Sequence, residues 1–313
     1  MSYNKLLRKK KTLIVVEAPF QLLTALEAIK YFNLNCTIYV RLNNNKVNDD
    51  QILNIISNCY YKKKIKTFLL RKYKLSLYFY FEIIKLVYLL FTELRDKDVI
   101  ILGNIESLIF KLLNYFPREF LFIICDDGLK LLTCNHVNKF YPFFTFIPSQ
   151  SFPYRKVYNY NFKFSEINFE VDINGSDFVG FIGDKFVDNE IVSYEEYILI
   201  IKKILHRLQL SNDKVIYFPH RGESYNNVKR VCQALRIKYL QLDMPLELVF
   251  NKLSNNILYY IGFFSTCLYT STLIHPFYKN RNISVCPIQF IKKDTCRPVY
   301  KFLSENSVQV IYL

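Results

Sequence analysis

Short runs of Ile, Val, Leu and Phe recur along the chain, separated by longer stretches in which apolar residues return every three or four positions. The runs read as strands at Thr12–Glu17, Cys36–Arg41, Lys66–Leu70, Asp98–Leu102 and Phe120–Cys125. They are short and almost wholly apolar, as parallel strands buried on both faces should be. Helical spacing lies between them at Phe20–Tyr31, Gln51–Ser57, Leu75–Glu93 and Ser107–Asn114. A βαβα order of this kind predicts a parallel sheet covered by helices on both sides.

From about Tyr141 to Asp177 the pattern dissolves into aromatic and polar residues, with prolines at 142, 148 and 153, and reads as a connection. Alternation then resumes. Helices are expected at Tyr194–Leu208, Asn227–Leu235 and Leu246–Leu253. Strands are expected at Lys214–Phe218, Tyr239–Leu242, Ile257–Gly262, Ile283–Pro287 and Val308–Tyr312. A chain of 313 residues is long enough for two domains of ~100–200 residues. The expectation is an α/β, GT-B-like arrangement of two Rossmann-like domains, 1–150 and 151–313, whose parallel sheets face each other across a cleft.

Lys and Arg number 42 against 27 Asp and Glu, a net charge of +15. Nucleic acid, an anionic membrane surface and acidic small molecules all fit such an excess. The cations are scattered apart from Arg8–Lys11 and Lys62–Lys64, whereas a nucleic-acid binder concentrates them on one helix or arm. No nucleic-acid partner is expected. The eight cysteines include no CxxC pair and several sit in apolar runs, which suggests buried free thiols in a reducing compartment. The four histidines form no HxH or HxxxH pair, so no metal site is expected. GxGxxG and GxxxxGK[ST] are absent, and no DxD follows a strand; any nucleotide would be handled without a metal ion or dinucleotide cofactor.

Thr12–Ala18 runs directly into a helical pattern and reads as a first core strand, not a secretion signal. The most lipid-like segment, Leu75–Phe91, is interrupted by Glu82 and Lys85 and falls short of the ~20 apolar residues that span a bilayer. It reads as a helix with a wide apolar face, either buried or resting on a membrane. A cytoplasmic protein is expected, with peripheral contact at the inner membrane as an option.

Four spots carry candidate chemistry, each at the C-terminal end of a predicted strand, where open α/β sheets bind ligands. Cys125-Asp126-Asp127-Gly128 places two carboxylates after an apolar run. That is unfavourable unless they are solvated, paired or used, although a plain Asp-Gly turn is the simpler account. In Pro219-His220-Arg221-Gly222 the imidazole and guanidinium suit phosphate recognition. Ser265-Thr266 opens a helical stretch and would either cap it or help hold an anion at its free amides. Met244-Pro245-Leu246-Glu247 is ordinary helix-start chemistry. His275-Pro276 follows a helical segment and reads as a helix stop.

Taken in order, these residues resemble the bacterial sialyltransferases of glycosyltransferase families 52, 38 and 80, which include lipooligosaccharide sialyltransferases and capsule polysialyltransferases. Asp126-Asp127-Gly128 is similar to the acidic-acidic-Gly motif of their N-terminal domain, and Ser265-Thr266 to the Ser-Ser/Thr motif of their C-terminal domain. His220 stands where their His-Pro motif falls, with Glu247 between it and Ser265 in the right order. Val15-Val16-Glu17-Ala18-Pro19-Phe20-Gln21-Leu22-Leu23 looks like the SPxQLL opening of families 52 and 38. One position departs: the family's Pro after His is Arg221 here, and Pro219 precedes it.

The resemblance implies an inverting, metal-independent transferase that moves sialic acid or a related nonulosonic acid from a CMP-sugar to a lipooligosaccharide or capsule glycan. It implies an acceptor-binding N-terminal domain and a CMP-binding C-terminal one. Asp126 would be the base, with Asp127 the alternative, and His220 would meet the departing phosphate as acid or electrostatic clamp. Ser265 and Thr266 would hold the same phosphate, Glu247 the ribose hydroxyls, and Asp127, Gly128, Gln21 and Arg221 would complete the substrate contacts. Family members can dimerise, so a homodimer is among the expected partners. A CMP-Kdo-type or other surface-polysaccharide transferase stays open, as does a non-catalytic basic protein that binds membrane or nucleic acid.

Overall fold

The computed structural model describes residues 7–70, 77–113, 119–134, 141–162, 175–287 and 296–313. The chain divides into two compact units, Met1–Ile167 and Asn168–Leu313.

The first unit is built on a seven-stranded parallel sheet in the order β3-β2-β1-β4-β5-β6-β7. Its strands are β1 (Lys11–Val16), β2 (Asn35–Leu42), β3 (Ile65–Leu69), β4 (Val99–Leu102), β5 (Leu121–Cys125), β6 (Phe143–Thr145) and β7 (Val157–Asn159). Helices α1 (Pro19–Phe32), α2 (Lys46–Asn58), α3 (Leu77–Leu94) and α4 (Leu108–Leu113) connect them. Helix α2 starts ahead of the apolar periodicity because Asn45 caps it, its side chain accepting from the Asn48 amide at 3.1 Å. Such a cap stabilises a helix by roughly 1 kcal/mol and leaves no trace in hydrophobic spacing.

The segment expected to be a connection instead adds β6 and β7 to the sheet edge. Three-residue strands are too short to show a pattern, and aromatic packing holds these two in place. Tyr160 stacks on Phe144 at 4.6 Å, and Tyr158 meets Phe32 at 5.1 Å. A domain boundary at 150/151 would therefore fall between two strands of one sheet; the division lies at 167/168.

The second unit carries a six-stranded parallel sheet in the order β10-β9-β8-β11-β12-β13. Its strands are β8 (Phe178–Ile182), β9 (Val215–Phe218), β10 (Lys238–Tyr239), β11 (Ile257–Gly262), β12 (Ile283–Cys286) and β13 (Gln309–Tyr312). Its helices are α5 (Tyr194–Arg207), α6 (Tyr225–Leu235), α7 (Leu246–Leu253), α8 (Thr266–Ile274) and α9 (Arg297–Glu305). Strand β8 escaped the sequence pattern although it is central. Gly180 interrupts its apolar run, and the Tyr260 ring fills the space a Cβ would occupy there. Helix α8 ends at Ile274 with His275 as its C-cap, the stop predicted at His275-Pro276.

Both sheets reverse their strand order at one place, between β1 and β4 in the first unit and between β8 and β11 in the second. At such a switch point the connections leave in opposite directions and open a crevice at the carboxyl ends of the strands. The eight cysteines are free thiols. Among the described residues, no helix is long and apolar enough to cross a membrane.

Candidate functional site

In the first unit the switch point gathers Glu17 after β1, Gly103 after β4 and Asp127 after β5. Pro19 at the start of α1 carries the chain from Glu17 into the helix, and this turn presents Gln21. The Gln21 carbonyl accepts from the Glu17 amide at 2.8 Å, which fixes the amide so that Nε2 donates to Asp127 Oδ1 at 2.7 Å. Gly103 is required beside it, because a Cβ there would come within 2.6 Å of Gln21 Oε1. Lys130 approaches the other Asp127 oxygen at 3.6 Å and pairs with Glu106 at 2.7 Å. The Glu17 carboxylate meets Arg41 at 3.0 Å. Burial raises the Glu17 pKa, and Arg41 offsets part of the effect.

The two adjacent aspartates have opposite surroundings. Asp126 is 0% exposed. Its Oδ1 accepts from the Thr145 hydroxyl, and its Oδ2 accepts from the Phe146 amide at 2.9 Å and the Tyr160 hydroxyl at 3.0 Å. Burial pushes its pKa up to about 7, against those three donors. Asp127 keeps a side chain 21% exposed. Gly128 supplies the left-handed turn between them and the short 3₁₀ helix Lys130–Thr133, at φ 67°, a conformation that glycine adopts without steric cost. The expectation that Asp126 meets an acceptor hydroxyl is therefore corrected: a side chain with no exposed surface and three donors of its own cannot reach one.

In the second unit the strand ends carry Gly183 and Asp184 after β8, His220 to Glu223 after β9, and Ser265 after β11. The Glu223 carboxyl organises the β9 loop. It accepts from the Tyr217 hydroxyl and from the His220 amide, each at 2.6 Å. The Tyr217 hydroxyl also meets that of Tyr197 at 3.0 Å, and Tyr197 in turn accepts from the Asp184 amide at 3.2 Å. Gly183 lacks the side chain that would strike Glu223 and Tyr217. Burial raises the pKa of Glu223 to about 8 and that of Asp184 to about 6.

Within this loop His220 Nδ1 accepts from the Gly222 amide at 2.9 Å. A neutral ring that accepts at Nδ1 carries its proton on Nε2. Burial, with Arg221 and Lys185 nearby, lowers the His220 pKa to about 3. The ring is thus a neutral Nε2–H donor set among cations. Ser265 caps α8, its hydroxyl accepting from the Cys267 amide at 3.3 Å; Thr266 is the first helical residue. Glu247, 8% exposed in the first turn of α7, accepts from the Cys267 thiol at 3.2 Å. Burial raises its pKa, and Arg221 partly offsets this.

The structure brings Arg221 within electrostatic reach of His220, Glu247 and Cys267, and it joins Gln21 to Asp127. Gln21 is only 2% exposed, with both ends of its amide occupied. It positions Asp127, in place of the substrate contact expected of it. Sequence reasoning missed Glu17, Arg41, Gly103, Lys130, Asp184 and Glu223 as members of these clusters. Of these, Glu17 and Gly103 directly follow an apolar strand, whereas Arg41 lies within β2 and Lys130, Asp184 and Glu223 stand further along the segments after β5, β8 and β9.

The carboxyls and the histidine pull stability in opposite directions with pH. A carboxyl with a raised folded pKa contributes fully below its unfolded value and loses that contribution as pH rises through the folded one. For Glu223 this window runs from its ordinary value of 4.5 to about 8. His220 favours the neutral ring, so its contribution is complete above 6.5 and fades as pH falls towards about 3. Urea midpoints between pH 5 and pH 8, a range set by these windows, should fall less steeply in Glu223→Gln than in the wild type. An unchanged slope would mean that Glu223 ionises freely in the folded state.

No protein-family model and no curated protein matches the chain, so the sialyltransferase resemblance rests on the motifs alone. Solved structures do match in fold. UDP-GlcNAc 2-epimerase of Methanocaldococcus jannaschii, in complex with UDP-GlcNAc and UDP, superposes with a TM-score of 0.57 at 12% identity, covering 96% of this chain and 89% of that one. The S. aureus MnaA–UDP structure gives 0.56 at 12% identity, covering 88% and 79%. UGT71G1 of Medicago truncatula, complexed with UDP-glucose, gives 0.53 at 10% identity, covering 98% and 86%. Two all-parallel Rossmann-like sheets in one chain, with these neighbours, define the fold as GT-B.

Proposed function

We propose that this chain is an inverting, metal-independent glycosyltransferase that moves a nonulosonic acid from its CMP conjugate to a hydroxyl of a surface glycan. The observation that carries the reading is the set of polar groups at the second unit's switch point. There the His220 Nε2–H and Arg221 after β9 and the Ser265–Thr266 helix start after β11, the two strands that flank β8, offer anion-binding groups. Exposed amides at a helix start attract a phosphate, and Glu247 beside Arg221 suits ribose hydroxyls.

In this reading Asp127, oriented by Gln21, takes the proton from the acceptor hydroxyl. The hydroxyl oxygen then bonds to the anomeric carbon. The bond from that carbon to the phosphate oxygen breaks, and CMP departs with the electron pair. His220 donates its Nε2–H hydrogen bond to the departing phosphate as negative charge builds on it. Asp126 acts behind Asp127, tying the turn after β5 to β6. One displacement inverts the anomeric centre. A monophosphate leaving group carries less charge than a diphosphate, so the chain's own donors suffice for it.

A second reading, a UDP-sugar enzyme, is favoured by the ligands named for the structural neighbours, which are UDP and UDP-sugars. Calorimetric titration separates the two. CMP is expected to bind in a one-to-one complex and UDP more weakly; tighter binding of UDP would transfer the proposal to the second reading.

A further inference from the structure

Helix α3 leaves a broad apolar surface uncovered. Its inner side buries Leu86, Leu90 and Leu94. Its outer side exposes Tyr80, Phe81, Ile84, Val87, Tyr88 and Phe91, with Phe81 and Ile84 each 63% and Tyr88 72% accessible. A helix that covers one face of a sheet normally turns polar residues to water, and contiguous exposed apolar groups on this scale mark an interaction surface.

Cations outnumber carboxylates around this surface. Lys85 stands within the exposed face and Arg95 lies over the Phe91 ring at its end. Lys66, on edge strand β3, reaches Glu93 at 2.8 Å, which places the start of β3 beside the last turn of α3. Directly before that strand, Lys62, Lys63 and Lys64 form an exposed cationic turn. The neighbouring carboxylates Glu93 and Asp96 are both paired, with Lys66 and with Lys11 and Lys97, and Glu82 lies on the half-buried flank.

We infer that α3 and the Lys62–Lys64 turn form a docking surface for a bilayer containing anionic phospholipid. Apolar residues along one side of a helix, with tyrosines among them and lysines beside them, suit a helix lying in the plane of the interface. Lys85 can bury its stem and extend its ammonium to the headgroups. A second copy of the chain fits less well. Lys85 stands at the middle of α3, so a two-fold pairing of the helix with itself would set Lys85 against Lys85. A bilayer instead offers apolar depth and negative charge together.

The experiment is co-sedimentation of the full chain with phosphatidylcholine vesicles and with mixed phosphatidylcholine–phosphatidylglycerol vesicles. The wild type should partition onto the mixed vesicles and much less onto neutral ones. Ile84→Asp combined with Tyr88→Asp should lower partitioning at least about tenfold, since burial of apolar surface drives such docking. Replacing Lys62, Lys63 and Lys64 with Gln should abolish the preference for the anionic lipid. These positions are exposed, and a CMP titration and a thermal melt unchanged from wild type would show that the fold and the nucleotide site persist. Equal binding of the aspartate variant, equal binding to both vesicle types, or a wild-type dimer in sedimentation velocity that Ile84→Asp dissolves would each overturn the inference. None of these outcomes bears on the transfer reaction.

Discussion

Asp127→Asn is expected to lower transfer by about 10²–10⁴-fold, the range that a positioned general base contributes, while CMP affinity changes little. The amide is isosteric with the carboxylate, and its carbonyl can still accept from Gln21 Nε2, now at 2.7 Å. The loop should therefore hold its shape. Loss of the Lys130 approach at 3.6 Å matters little, because half-exposed ion pairs contribute about 0–1 kcal/mol. What disappears is the capacity to take up a proton.

The neighbouring change should behave differently. In Asp126→Asn the new NH₂ group must face either the Thr145 hydroxyl or the Phe146 amide together with the Tyr160 hydroxyl, all of which now donate to the carboxylate. A buried donor left without an acceptor costs about 1–3 kcal/mol, so the thermal midpoint should fall. The pair of variants thus separates base from scaffold: turnover lost with stability kept at 127, stability lost at 126. Thermal melts beside initial rates would read both. Near-normal rates in Asp127→Asn would return the base assignment to another group.

His220→Ala should weaken CMP binding by roughly 10–150-fold, the equivalent of about 1.5–3 kcal/mol for a hydrogen bond to a charged group. The ring is neutral and its Nδ1 is occupied by the Gly222 amide, so Nε2–H is the one donor it can offer a phosphate. His220→Gln, whose amide can donate from a similar position, should recover part of the affinity. Calorimetry on the three proteins distinguishes this from a loop defect. If alanine and glutamine weaken binding equally, the effect belongs to the loop that Glu223 organises and not to the imidazole.

Much of the architecture was legible in the residue pattern, because buried parallel strands are nearly pure apolar runs, as at Ile257–Gly262, and amphipathic helices such as Leu246–Leu253 repeat every three or four residues. The failures share a cause. Strands β6 and β7 are three residues long, and β8 carries Gly180 where Tyr260 needs room; each depends on contacts distant in sequence. The same gap explains the two aspartates. Successive residues leaving a strand point to opposite sides, so one of Asp126 and Asp127 had to face inward. The donors that decide which, Thr145 and Tyr160, lie in the stretch that reads as a connection. His220, Glu247 and Ser265 were recognisable from their places after strands or at helix starts. Glu223 was not, since its carboxyl acts by holding the Tyr217 hydroxyl and the His220 amide, and Asp184 was not, since it meets Tyr197 only through its backbone amide.

The most direct test of the central claim is CMP release from CMP-linked nonulosonic acids, with and without a lactose-terminated acceptor, in wild type and Asp127→Asn. The account predicts release that depends on both the acceptor and the carboxylate. Release that ignores the acceptor and survives Asp127→Asn, or no release from any CMP donor alongside turnover of a UDP-sugar, would contradict it.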